Sequence, residues 1–94
     1  MKSEPIERIR ILIECEDLSR NDLAMKTEIP YDRWQAVINK RTKLRHDEIE
    51  ALGKLYPEYK HWLAFGEELP EAGQISPMTK EQMKKLETLK KVSE

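Results

Sequence analysis

The sequence predicts an all-α domain, and three observations predict it. Apolar residues recur three or four positions apart along most of the chain, the spacing of a helix with one buried face. Only 3 Gly and 1 Phe occur in 94 residues, and β-branched runs are few, which disfavours an all-β domain. The single Cys15 excludes an internal disulfide framework and a cysteine-based zinc site. At 94 residues and 11.2 kDa the chain has the size of one domain, too small for a two-domain enzyme with a large cleft. No stretch approaches the ~18 apolar residues of a membrane span. The opening MKSEPIERIR lacks the apolar core of a secretory signal.

The elements follow in order. Ser3 is a candidate N-cap for a first helix, with Pro5 in the first turn where its missing N–H costs little. Ile6, Ile9, Leu12 and Ile13 form its stripe, and Leu18 returns to the core after Glu16-Asp17. Ser19 with Asp22 predicts a capping box for a short second helix that turns Leu23, Ala24 and Thr27 inward. Pro30 closes it and opens a third helix, whose inward stripe is Trp34, Val37 and Ile38. The polar, basic segment 39–43 reads as a loop, with Leu44 as its apolar anchor. A fourth helix is expected from Asp47 to Leu55, burying Ile49, Leu52 and Tyr56, with Gly53 allowing close packing. A fifth runs from Glu58 to Phe65, burying Tyr59, Trp62 and Leu63, and stops at Gly66. Residues 67–77 lack a helical period and read as an arm or linker. A last helix from Thr79, with Thr79 and Gln82 as a capping box, carries Met83, Leu86, Leu89 and Val92.

Residues 20–39 hold the pattern of a helix-turn-helix: Ala24 as the small residue where two helices cross, Ile29 plugging the turn, and Trp34 and Val37 as the buried steps of the second helix. A helix so presented can enter a major groove ~12 Å wide. Over about residues 6–56 the sequence resembles the lambda-repressor-like (Cro/C1, XRE-type) DNA-binding family. The likeness rests on Ile9-Arg10, Leu12, Leu18-Ser19, Leu23-Ala24, the turn Glu28-Ile29-Pro30, and Ile49, Leu52 and Leu55. The tail from Tyr56 to Pro77 looks like the end of small prophage-type regulators. The resemblance implies a compact bundle of five helices; with the composition shift after Gly66, the chain divides into a domain over residues 1–66, a linker or arm (67–77) and a C-terminal helix (78–94). The resemblance also implies dimeric binding and transcriptional regulation in the cytoplasm of a bacterium, encoded by the host or a phage.

Four positions depart from that family. Glu28 and Lys40 stand where glycine is usual, Ile13 where arginine is frequent, and Trp34 where a smaller residue is expected. Glu28 would cost about 1–2 kcal/mol in a left-handed turn, which leaves open whether the turn keeps its usual shape. Trp34 is expected to push the third helix slightly outward.

The resemblance places base contacts at Tyr31, Asp32 and Ala36, with Arg33, Gln35 and Asn39 beside them. By chemistry, Gln35 suits an adenine edge, Arg33 guanine, Ala36 a thymine methyl and Asp32 a cytosine amine. Asp32 and Tyr31 have alternatives, as a helix N-terminal charge and as packing on the turn. Arg20, Lys40, Arg41, Lys43 and Arg45 are the candidate phosphate contacts.

A net charge of −1 argues at first against a nucleic-acid partner. Along the chain it resolves differently. Residues 31–46 hold 5 basic and 1 acidic group, whereas residues 47–76 hold 2 basic and 7 acidic. The basic segment coincides with the third helix and its following loop, where phosphate contacts belong. A catalytic role finds no support: His46 and His61 form no ligand set, and no nucleophile or phosphate-loop motif is present. No cofactor or metal is expected. The expected partners are double-stranded operator DNA and a second copy of the chain, bound through residues 78–94. The alternative is a protein-interaction module, such as an antitoxin or prophage adaptor, using the acidic block and the last helix.

Overall fold

The described residues fold into six α-helices and two short 3-10 turns. The computed structural model describes the backbone from residue 4 to residue 93 and the side chains from 4 to 89. The helices are α1 (Pro5–Cys15), α2 (Arg20–Thr27), α3 (Tyr31–Ile38), α4 (His46–Leu55), α5 (Lys60–Phe65) and α6 (Pro77–Ser93), with 3-10 turns at Pro57–Tyr59 and Pro70–Ala72. The described residues hold no strand, only an isolated bridge between Leu69 and Gln74.

One core serves the first five helices. Ile9, Leu12 and Ile13 of α1 meet Leu18, Leu23, Trp34, Ile38, Leu52, Tyr59, Trp62 and Leu63. Ile49 and Tyr56, expected inside, are only partly buried against it. Trp34 is fully buried, and its indole N–H would be costly without an acceptor. The Thr27 hydroxyl accepts it at 3.0 Å, accepts the Ile29 N–H at 3.3 Å, and donates to the Leu23 carbonyl. One hydroxyl thus closes α2, fixes the turn and seats the ring.

Helix boundaries differ from the sequence expectations for local reasons. Ser3 lies outside the described residues, and Glu4 occupies the N-cap position of α1, its carbonyl receiving the N–H groups of Glu7 and Arg8. The α4 helix starts at His46 rather than Asp47. Tyr56, held extended before Pro57, breaks the chain into a 3-10 turn, so α5 starts at Lys60 rather than Glu58. The α6 helix starts at Pro77. The Ser76 hydroxyl accepts the Thr79 N–H at 3.3 Å, so Ser76 takes the role expected of the Thr79–Gln82 pair. Glu68 accepts the Ser76 N–H at 2.8 Å. Bonds from the Thr79 hydroxyl, then the Ser76 N–H, hold its carboxyl below the usual range.

The Ser19–Asp22 capping box forms as expected, with reciprocal bonds of 2.9 and 3.0 Å. Residues 67–76 lie as an arm along α5. Gln74 accepts the His61 N–H and donates to the Pro57 carbonyl, and the Ile75 N–H reaches the Glu58 carbonyl. Gly53 is buried, yet a methyl there would meet Lys60 at an ordinary 3.4 Å, so the packing it permits would also admit alanine.

Three helices end in a non-glycine residue at positive φ: Asp17 at 53°, Glu28 at 61° and Lys40 at 60°. After α1 and α3 the bonds are those of a Schellman motif. Leu18 N–H reaches the Ile13 carbonyl and Asp17 N–H the Glu14 carbonyl. Likewise Arg41 N–H reaches the Ala36 carbonyl and Lys40 N–H the Val37 carbonyl. The left-handed turn therefore forms at residue 28 despite its glutamate.

Replacing Thr27 with valine keeps the shape and removes the acceptor. The expected loss is about 1–3 kcal/mol, the cost of an unmet buried donor, read from urea unfolding followed by Trp fluorescence. An unchanged midpoint would mean that the indole N–H does not depend on this hydroxyl.

Candidate nucleic-acid interface

The short α2–α3 turn follows from two residues. Glu28 ends α2 in the left-handed region, and Pro30 starts α3, its carbonyl receiving the N–H groups of Arg33 and Trp34. Trp34, Val37 and Ile38 commit one face of α3 to the core. The other face is left outward. Tyr31, Asp32 and Asn39 are exposed there, while Gln35 and Ala36 are half-buried.

Arg33 departs from its expected role at a guanine edge. Its guanidinium turns toward α4, where Nε and Nη2 both donate to Glu48 Oε1 at 3.0 and 2.7 Å. Nη1 reaches the Thr42 hydroxyl at 3.3 Å, and Nη2 also reaches the Lys43 carbonyl at 3.0 Å. Glu48 is 1% exposed and accepts the Arg45 N–H at 3.4 Å. The pair pins both halves of the 39–45 loop to α4, so Arg33 positions the loop. The physical reason is burial: a carboxylate inside needs a cation and hydrogen bonds, and Arg33 is placed to supply them.

With that loop fixed, Lys40, Arg41, Lys43 and Arg45 are all exposed in one connection beside the outward face of α3. Beneath it runs an open groove of about 600 Å³ floored by Ile6, Val37, Leu44 and Ile49. Arg20, at the start of α2, lies across from Gln35 and donates through Nε to its Oε1 at 2.9 Å. The candidate contacts therefore divide into an α3 face, the basic loop that follows it, and Arg20 beside Gln35.

Sequence reasoning assigned no role to Arg8, Arg10 or Glu48. Arg10 donates through Nη2 to the Ile38 carbonyl at the end of α3, joining α1 to the helix whose face is in question. Arg8 is buried and donates through Nε to the Leu63 carbonyl at 3.1 Å. The legible signal for Glu48 was its place four residues before Leu52, on an otherwise apolar face.

The described residues contain no cluster of His, Cys, Asp or Glu able to hold a metal. Burial, and then Glu81, Glu14 and Glu16, push the Cys15 thiol up, which suppresses the thiolate that redox chemistry needs. His61 tilts against Phe65, with ring centroids 4.8 Å apart, and His46 lies 3.7 Å from Glu50. No helix among the described residues is long and apolar enough to cross a membrane.

Comparison with solved structures places this geometry. The chain matches the structure of Pf6r from the filamentous phage Pf6 of Pseudomonas aeruginosa PA01 at a TM-score of 0.74. The two are 37% identical, over 89% of this chain and 98% of that one. This chain belongs to the Pf6r family. No family model matches it, nor does any curated protein. Pf6r is matched over almost its whole length, and the likeness extends well beyond the α2–α3 pair to most of this chain.

The Arg33–Glu48 pair gives a direct test. Glu48→Gln keeps the shape but removes the charge. A loss of about 2 kcal/mol in urea unfolding is expected, below the full cost of breaking a buried pair because Arg33 is partly exposed. Amide exchange of residues 41–45 should accelerate. Unaltered exchange would show that the loop is held by something else.

Proposed function

We propose that this chain is a sequence-specific, double-stranded DNA-binding transcriptional regulator of the Cro/C1 helix-turn-helix type. The observation that carries the reading is the coincidence of four exposed cations, Lys40, Arg41, Lys43 and Arg45, with the outward face of α3. In this reading α2 and α3 form the helix-turn-helix. Tyr31, Asp32, Gln35, Ala36 and Asn39 face base edges, and the loop clamps phosphates. Arg33 leaves the base-reading set because Glu48 holds it. Arg20 stays as a phosphate contact. Residues 47–76, rich in carboxylates, would face away from the duplex. Kinship with a protein from a filamentous phage supports a small phage regulator. The protein performs no catalysis and needs no cofactor.

Two copies would bind one operator, with half-sites about one turn (~34 Å) apart. The α6 helix supports pairing, since Met83, Leu86 and Leu89 are each more than half exposed on it. In sedimentation equilibrium the wild type is expected at twice 11.2 kDa, and Leu86→Lys at the mass of one chain. A wild type that runs as one chain would remove α6 from the pairing.

DNA binding is tested by selecting duplexes from random sequence and measuring affinity against salt. Arg41→Ala should weaken all duplexes alike and lower the salt slope by about 1. Wild-type binding without sequence preference or salt dependence would overturn the reading. It would leave the protein-binding alternative, for which a co-purifying partner is the sign.

A further inference from the structure

The open groove beside the basic loop has a floor that the DNA-binding reading leaves unused. Its volume is about 600 Å³, and four elements supply aliphatic side chains to it: Ile6 from α1, Val37 from α3, Leu44 from the loop and Ile49 from α4. Ile6, Leu44 and Ile49 are only half-buried, so the floor keeps apolar surface in contact with solvent. Phosphates take cations and N–H groups, and an aliphatic floor offers them nothing. The same groove is lined by Lys40, Arg41, Lys43 and Arg45 against a single carboxylate, Glu4. Among the described residues Lys40, Arg41 and Lys43 make no ion pair.

We propose that this groove docks an acidic amphipathic helix of a partner protein, and that the helix and DNA exclude each other. The two faces of such a helix match the two parts of the groove. Apolar residues at i, i+3, i+4 and i+7 lie on the floor. Carboxylates on the helix flank meet the loop cations, which Arg33 and Glu48 hold in place. A small ligand fits less well, because small-molecule sites bury most of the ligand's surface and this groove is open to solvent. The α6 helix of a second copy has the wrong charge, with 5 lysines against 2 glutamates. The exclusion of DNA follows from the shared cations and rests on the proposed phosphate role of the loop. The docking itself does not depend on that role.

The test uses the full chain to select peptides from a displayed library of helices about 15 residues long, randomised on one face and both flanks. Enriched sequences should combine apolar residues at helical spacing with flanking Asp or Glu. Ile6→Gln places an amide in the floor; with its fold checked by Trp fluorescence, it should weaken a selected peptide about ten-fold and leave duplex affinity unchanged. Arg41→Ala, at an exposed position that does not endanger the fold, should weaken peptide and duplex together. At ten times its Kd the peptide should lower the apparent affinity for DNA about ten-fold. Three results would overturn the docking site: no enrichment, enrichment without acidic residues, or a selected peptide that binds both variants as it binds the wild type. Selection that succeeds only with Leu86→Lys would mean that α6 of a second copy fills the groove, and overturns it too. A ternary complex of peptide and duplex would overturn the exclusion. A wild type that binds the peptide but no duplex would refute the DNA-binding reading and leave the docking site standing.

Discussion

The ion pair of Arg33 and Glu48 is the constraint on which the outward surface depends. A carboxylate taken out of water is destabilising unless a cation and hydrogen bonds replace its hydration. Glu48 meets both needs from α3 and from the Arg45 N–H. The same guanidinium binds Thr42 and the Lys43 carbonyl. A loop rich in like charges would otherwise spread, since Lys40, Arg41, Lys43 and Arg45 repel one another. The buried pair sets where those four cations sit relative to α3. Stability and surface electrostatics are therefore joined in one contact.

A second joint lies at the other end of α3. Arg10 bonds the Ile38 carbonyl, where the helix dipole is negative, and so ties α1 to the helix terminus. At its start, Thr27 holds Trp34 from α2. Three side chains from three different elements thus hold an eight-residue helix that could not persist alone. Its outward residues inherit that rigidity.

Much of the fold was legible because periodicity and caps act locally. The stripes of α1 and α3 follow from Ile9, Leu12, Trp34 and Val37, and the Ser19–Asp22 cap needed only its own segment. What was not legible depended on partners distant in sequence. Arg33 looked like a base reader because an exposed arginine on a recognition helix suits guanine; that it is claimed by a residue 15 positions later leaves no local trace. Gln35 is similar: its oxygen accepts a hydrogen bond from Arg20, 15 positions earlier, and nothing in its own segment announces that partner. The start of α6 was misplaced by two residues because Ser76 and Thr79 are both good caps, and only Glu68, arriving from the arm, favours the first. Charge patterning located the basic segment, and the structure adds that its loop is fixed in place.

The left-handed residues at 17, 28 and 40 have a further consequence. Each helix end adopts a turn that glycine would adopt without steric cost, and each has a charged residue instead. The backbone geometry is kept while its usual sequence marker is lost. A motif that demands glycine at these turns would pass over this chain, although a comparison of backbones would not. Recognisability and architecture have separated here. The same three positions also form a reserve: a lineage of this chain could gain stability at 17, 28 or 40 by single substitutions to glycine, without moving an atom of the core or of the face that α3 turns outward.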